Sequence, residues 1–303
     1  MDDKILAVYG LSADILQALG HAEDPHQKMS DAEVITTGLV AMLFFRGNFE
    51  AARALLCTPG YMPHMLSRSR LNRRLHRLTD LFVMVFDLLG YAWKQLNTES
   101  VYVIDGFPVV ACDNYRIPRA KLYQKEEYRG CIASKKRYCY GLKVHLLVTK
   151  DGQPVECFLT PGSYSDVRML KTFRFDIPEG SHVYADKAYN DYVMEDVLLE
   201  ASHIQLYPIR KKNSTRTLPP YIAYAQHYYR KRIETVGSLI ERMLPKTIHA
   251  VTAKGFELKV FLFVLAHSLN CLEVATWVNL MPFGSWPVLV KRGGVEVLHR
   301  FPV

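Results

Sequence analysis

The sequence predicts an α/β protein in three parts. Residues 1–97 read as all-helical, residues 98–275 as a mixed sheet flanked by helices, and residues 276–303 as an irregular tail. Three observations carry this expectation. Apolar residues recur at helical spacing through the first part. From Ser100 the texture changes to short β-branched runs separated by turn residues. After Asn279 the chain is rich in Pro and Gly and loses periodicity.

Composition narrows the function classes. A chain of 303 residues that is 49% hydrophobic and 22% charged can bury a sizeable core, and its net charge of +8 favours a polyanionic partner over an acidic one. The cysteines at 57, 112, 131, 139, 157 and 271 form no CxxC pair and have no His at zinc spacing. They are expected to be buried small side chains in a reducing compartment. Met1-Asp2-Asp3 is acidic where a secretory leader would be basic, and the apolar run Val260–Ala266 is too short to span a bilayer. A cytoplasmic protein is expected.

In the helical part, Ser30 and Glu33 make a capping-box pattern ahead of the apolar Val34, Leu39, Met42, Leu43 and Phe45. A turn-rich stretch, Cys57–His64, precedes a helix over Ser67–Leu78. Leu71, Leu75 and Leu78 anchor that helix, and Arg68, Arg70, Arg73, Arg74 and Arg77 surround them. A helix entered through a turn and studded with arginines has the form of a helix-turn-helix-like DNA-binding region. A solvated basic face on a packing helix is the plainer reading.

In the second part, strands are expected at Val101–Ile104, Tyr140–Val148, Pro154–Thr160, His182–Ala185 and Ile204–Ile209. The Asp151-Gly152 pair within Thr149–Gln153 signals a hairpin between the second and third. Helices are expected at Asp166–Phe173, Asn190–Ala201, Ala223–Leu244 and Lys254–Val274, with a basic loop Arg210–Arg216 before the third of them. Three strands, then helix, strand, helix, strand and helix is the order of an RNase H-like domain. In that fold the first and fourth strands are neighbours.

Three acids then converge. Asp105 closes VYVID, Asp186 closes HVYAD, and Glu234 lies on the long helix within RKRIET. Carboxylates at two strand ends and on a following helix make a hard-oxygen pocket suited to Mg²⁺ or Mn²⁺. Two ions about 4 Å apart can bridge a scissile phosphate, activating the attacking oxygen and stabilising the leaving one. Asp105 is the expected bridging ligand, with Asp186 on one ion and Glu234 on the other. Taken singly, each acid is more simply a turn former, a cap or a solvated helix residue; their joint placement argues otherwise.

Further residues surround this triad. His227, Arg230, Glu234 and Glu241 share one helix face, and Ile233, Gly237, Ile240 and Leu244 form an apolar stripe beside it. Arg230 can orient Glu234, clamp a phosphate, or make an ordinary ion pair. Asp166 in PGSYSDV is an accessory candidate or a helix cap, and Asp113 is a weaker one. Lys187 and Tyr189 follow the second Asp directly and can touch DNA. Lys143 and His145 alternate on one strand face, His145 reading as a structural hydrogen bonder. Lys135–Lys143 and Tyr221, Tyr224, Tyr228 and Tyr229 interleave charges and rings, a pattern that suits phosphates and exposed bases.

At these residues the chain resembles an insertion-sequence DDE transposase, most of all insertion-sequence family nine-eighty-two. The segments that carry the resemblance are VYVIDGFPV, YGLKVHLLVTKDGQPVECFLTPGSYSDVRML, HVYADKAYND and RKRIETVGSLIERMLPKTIHAVTAKGFELKV, over roughly residues 100 to 270. The resemblance implies Mg²⁺-dependent excision and integration of a mobile element. It also implies binding to that element's terminal inverted repeats and a homo-oligomer on DNA, with Asp105, Asp186 and Glu234 as the triad. A wider signature of such enzymes places Tyr, Arg, Glu and Lys along the last helix. Here Arg230 and Glu234 fit, but His227 and Glu241 stand where Tyr and Lys would, with Tyr228 and Arg242 adjacent. The rival functions are a nuclease of the same fold that does not join strands, and a DNA-binding regulator with an inactive catalytic domain.

Overall fold

The computed structural model describes residues 1–58, 60–132 and 136–272. The expected tail at 276–303 lies outside the described residues. Five helices come first: α1 (Asp2–Ala18), α2 (Asp31–Phe45), α3 (Phe49–Leu56), α4 (Arg68–Arg77) and α5 (Thr79–Leu96). The capping box forms as read, with Ser30 accepting from the Glu33 amide and Glu33 accepting from the Ser30 amide. Every residue of α2 from Asp31 to Met42 except Glu33 is buried, as suits a helix at the centre of a bundle. Gly38 sits where a Cβ would stand 3.0 Å from a Leu75 methyl, so its bare backbone admits α4 closely.

The sheet strands are β1 (Val101–Asp113), β2 (Arg129–Ile132), β3 (Arg137–Thr149), β4 (Pro154–Pro161), β5 (His182–Ala185) and β6 (Gln205–Pro208). Interspersed are α6 (Asp166–Thr172), α7 (Tyr192–Ser202), α8 (Pro220–Met243) and α9 (Ala253–Asn270). One edge of β3 pairs antiparallel with β1, the other with β2 at its start and β4 along the rest. β5 joins β1 in parallel, and β6 joins β5 in parallel. The first and fourth expected strands are therefore neighbours, as the element order requires. The hairpin also forms as read, with Gly152 at φ +94 and the Thr149 amide donating to the Gln153 carbonyl.

The strands depart from expectation in two places. β1 does not stop at Asp105 but runs on to Asp113, because its second half pairs with the long β3. β2 is an additional strand with no counterpart among the expected ones, since Arg129-Gly130-Cys131-Ile132 is too short and too polar to show alternation.

The backbone divides into two compact units. One comprises Met1–Leu88, Arg242–Ile248 and the described residues from Lys254 onward; the other comprises Leu89–Glu241 and His249–Ala253. The sequence places α9 at the close of the catalytic part; its contacts instead group it with the N-terminal helices. Almost every residue of α9 from Phe256 to Leu269 is buried, which explains its lack of an amphipathic pattern. Among the described residues no helix is long and apolar enough to cross a membrane. The cysteines are less buried than expected: Cys139 and Cys157 are in the interior, whereas Cys57 and Cys131 are exposed, and all six are free thiols.

Candidate active site

The parallel ladder between β1 and β5 pairs Val101 with His182 and ends with Ile104 opposite Ala185. Asp105, still within β1, and Asp186, just past the end of β5, are the next residues along the chain. Two carboxylates thus leave neighbouring backbones at the same level of the sheet, just where the parallel pairing stops.

Asp105 accepts from the Gly106 amide at 2.7 Å. Burial above all, together with the charges of Asp186 and Asp166, pushes its carboxyl up to about 6 against the opposing pull of that amide and of Lys143. Asp186 caps a short turn, Lys187–Tyr189, and accepts from the Lys187 amide at 2.6 Å.

α8 brings the third acid. The helix opens on Pro219-Pro220 and buries Ile222, Gln226, Ile233, Val236 and Ile240. Gln226 donates to the Tyr207 carbonyl of β6 at 2.9 Å, and the Cα of Gly237 faces Phe107 of β1. Leu244, expected in the apolar stripe, lies beyond the helix end. Held this way, α8 presents Arg230 and Glu234 to the strand ends. The Arg230 guanidinium donates through Nε to Glu234 Oε1 at 2.8 Å and through Nη1 to Asp186 Oδ1 at 3.1 Å. The simple i,i+4 pair is present, and the same side chain also bridges helix and sheet.

A second layer of polar groups lies behind Asp105. Lys143 of β3 donates to Asp166 Oδ1 at 2.5 Å, and His145 Nδ1 lies 3.6 Å from the same oxygen. His145 is fully buried, contacts Thr160 Oγ1 at 3.0 Å, and is driven down to about 3 by burial and by Lys143, so it is neutral. Tyr189 is also fully buried, beside Asp166, Asp105 and Asp186, and burial holds its phenol protonated. Gly106 makes this layer possible. A Cβ there would stand 2.8 Å from both His145 Nδ1 and Lys143 Cε.

The sequence-predicted residues therefore separate into groups. Asp105, Asp186, Glu234, Arg230 and Asp166 fall into one charge network. Tyr189, expected to touch DNA, is interior, whereas Lys187 beside it is exposed. His227 and Glu241 are exposed two turns before and after Glu234, and exposed Tyr228 meets Tyr229 edge-on at 5.2 Å. Lys143 and Tyr189 are the members whose part in this network the sequence reading missed. The alternation of Lys143 and His145 along β3, opposite Gly106, is the signal that points to the first.

The donor set suits a hard cation, since the acids present only carboxylate oxygens and the neighbouring histidine is buried behind them. As placed, however, no three acidic, His or Cys side chains among the described residues are close enough to hold a metal ion. The Arg230 guanidinium instead brings positive charge to Asp186 and Glu234.

A family model described as the transposase DDE domain matches residues 95–249, a span that contains all three acids. The chain belongs to this transposase family. Membership gives a transposase-type function, of the polynucleotidyl transferase and nuclease kind, and implies DNA as a partner. No curated protein and no solved structure matches the chain. Within the transposase, the match begins near the end of α5 and ends just before α9, so it covers the whole sheet and the helix that carries Glu234.

Proposed function

We propose that this protein is the transposase of an insertion sequence, resembling family nine-eighty-two, which cleaves DNA at the terminal inverted repeats of its element and joins the freed ends to target DNA. The observation that carries the proposal is the adjacency of Asp105 and Asp186 beyond the last parallel pair, with Arg230 linking Asp186 to Glu234. The strand order, with β4, β3, β1, β5 and β6 side by side, supports an RNase H-like catalytic domain.

Asp105, Asp186 and Glu234 would hold Mg²⁺ or Mn²⁺, in all two ions. Bound there, such ions supply Lewis-acid stabilisation of the attacking and leaving oxygens. The protein's own groups do the positioning. The sheet fixes Asp105 and Asp186, each with a backbone amide on one oxygen, which leaves the other oxygen available. Arg230 is placed to meet a phosphate oxygen while orienting Glu234. The reaction is an in-line displacement at phosphorus: water attacks for cleavage, a DNA 3′-hydroxyl for joining. A new P–O bond forms, the old one breaks, and the leaving oxygen keeps the electron pair and takes a proton. Arg68, Arg70, Arg73 and Arg77 are exposed and serve DNA binding, together with Lys187.

The test uses labelled DNA carrying the ends that flank the gene, a target plasmid and Mg²⁺, with wild type and Asp105→Asn in parallel. Metal-dependent nicking and a joined product, both lost in the variant, are the expected result. Nicking without joining would favour a nuclease. Binding without chemistry in either Mg²⁺ or Mn²⁺ would leave a DNA-binding regulator.

A further inference from the structure

The basic loop Arg210–Arg216 has no part in the site described so far, yet it leaves the sheet beside the acids. The Ile209 amide donates to the Ala185 carbonyl at 3.0 Å, and Asp186 is the residue after Ala185. Asn190 then ties the loop to the turn that follows Asp186. Its Nδ2 donates to the Lys187 carbonyl at 2.9 Å and to the Ile209 carbonyl at 2.6 Å, and its Oδ1 accepts from Arg210 Nη1 at 3.3 Å.

Both ends of the loop are clamped on α7. The Arg210 guanidinium donates to the two Glu195 oxygens at 2.6 and 2.7 Å, and that of Arg216 to the two Asp196 oxygens at 2.7 and 2.8 Å. The same guanidiniums lie 5.4 and 4.7 Å from the centroid of the Tyr192 ring. The Tyr192 hydroxyl is 2.6 Å from Ser214 Oγ and accepts from the Thr215 amide at 3.1 Å. The loop is thereby held as a fixed arch, and a surface ordered before its partner arrives loses less entropy on binding. The clamps also settle the charge. Arg210 and Arg216 are paired with acids, whereas Lys211 and Lys212 between them are exposed and make no ion pair among the described residues. Lys187, across the Asn190 tie, is exposed and unpaired in the same sense.

We propose that this arch is a docking site for the phosphate backbone of duplex DNA, in which Lys211 and Lys212, beside Lys187, hold the phosphates that flank the acidic site. The proposal rests on the transposase reading for its partner and adds an element that reading does not use. Three unpaired ammonium groups next to a site for phosphodiester chemistry complement the charge of a duplex on either side of the reacting phosphate.

The test is the salt dependence of binding, by fluorescence anisotropy of the full-length protein on a labelled duplex in EDTA, which keeps binding apart from metal-dependent chemistry. Each phosphate contact removed lowers the steepness of log Kd against log salt by about 0.9. Lys211→Gln with Lys212→Gln should lower it by about 1.8, on element-end and random duplexes alike. Both lysines are exposed, so the double variant reads the contacts without disturbing the fold. Lys150→Gln is the control, because the Lys150 amide donates to Val101, at the opposite end of the β1–β5 ladder from Asp105; its slope should equal wild type. A wild-type slope in the double variant overturns the proposal. So does a fall in Lys150→Gln as large as that in the double variant, or tighter binding of the same sequence as an RNA duplex. If end cleavage is lost in Asp105→Asn while the double variant keeps the wild-type slope, the arch falls and the transposase reading stands. A reduced slope in a protein without strand chemistry supports the arch and removes the transposase reading.

Discussion

Asp105 and Asp186 are each the first residue beyond the last parallel pair of β1 and β5, Ile104 opposite Ala185. Their charges oppose each other, and the cost is visible in the Asp105 carboxyl, pushed up to about 6 chiefly by burial and then by Asp186 and Asp166. A site built from like charges is stabilised by whatever cation enters it. Arg230 is that cation within the chain.

Replacing Arg230 with Gln should therefore sharpen the response to divalent ions. Without the guanidinium, Asp186 and Glu234 lose their partner and the acids repel unshielded. In EDTA the variant should melt below wild type, and Mg²⁺ should raise its Tm by several degrees more than it raises wild type. Melting curves with and without Mg²⁺ check this. An equal Mg²⁺ response in the two proteins would show that Arg230 and a divalent ion do not compete for these acids.

Gly106→Ala tests the layer behind the acids. The added methyl would lie 2.8 Å from His145 Nδ1 and from Lys143 Cε. The lysine end can swing away, but His145 is fully buried and tied to Thr160. A loss of about 1–3 kcal/mol is expected from such overpacking, read as a lower urea midpoint. A variant as stable as wild type would mean that β1 and β3 separate easily at this rung.

Arg74 and Arg73 should behave oppositely although they are adjacent. Arg74 pairs with Asp31, itself nearly buried, and donates to the Met29 carbonyl at 3.3 Å. The guanidinium, expected to contact DNA, is engaged in holding α4 on the start of α2. Arg74→Gln should cost about 1–3 kcal/mol by leaving Asp31 short of a partner, with no change in the salt slope of DNA binding. Arg73→Gln should leave stability within about 0.5 kcal/mol and weaken binding. Thermal melts and anisotropy on the same two variants separate the roles.

Acid should weaken the helical unit through His267. The residue is buried in α9 and its imidazole is driven down to about 4 by burial. Its folded value lies below the unfolded one, so the unfolded chain takes up the proton first. The stability it contributes is complete above about pH 6.5 and falls as pH drops toward 4, by up to about 1.4 kcal/mol per pH unit. His267→Gln should flatten that decline. Urea midpoints at neutral and mildly acidic pH decide it, and parallel declines in the two proteins would assign the acid sensitivity elsewhere.

The local features that the amino acids announce are those with short-range causes. The Ser30–Glu33 capping box, the Asp151-Gly152 hairpin and the leucine stripe of α4 all form as their neighbours in sequence require. The adjacency of the first and fourth strands follows from element order, and the match to the transposase DDE domain agrees with the motif segments. Other features depend on partners distant in the chain. β1 extends past Asp105 because β3 lies beside it. Tyr189 is interior, its hydroxyl 3.4 Å from buried His145 of β3, and Arg74 turns inward because Asp31 is there. α9 groups with the N-terminal helices because an apolar surface on nearly every side must be covered, and only the folded chain decides by what. Spacing along the chain determines which residues share a face. Which face meets which, and therefore which charges are neutralised and which remain for DNA, is decided by long-range packing.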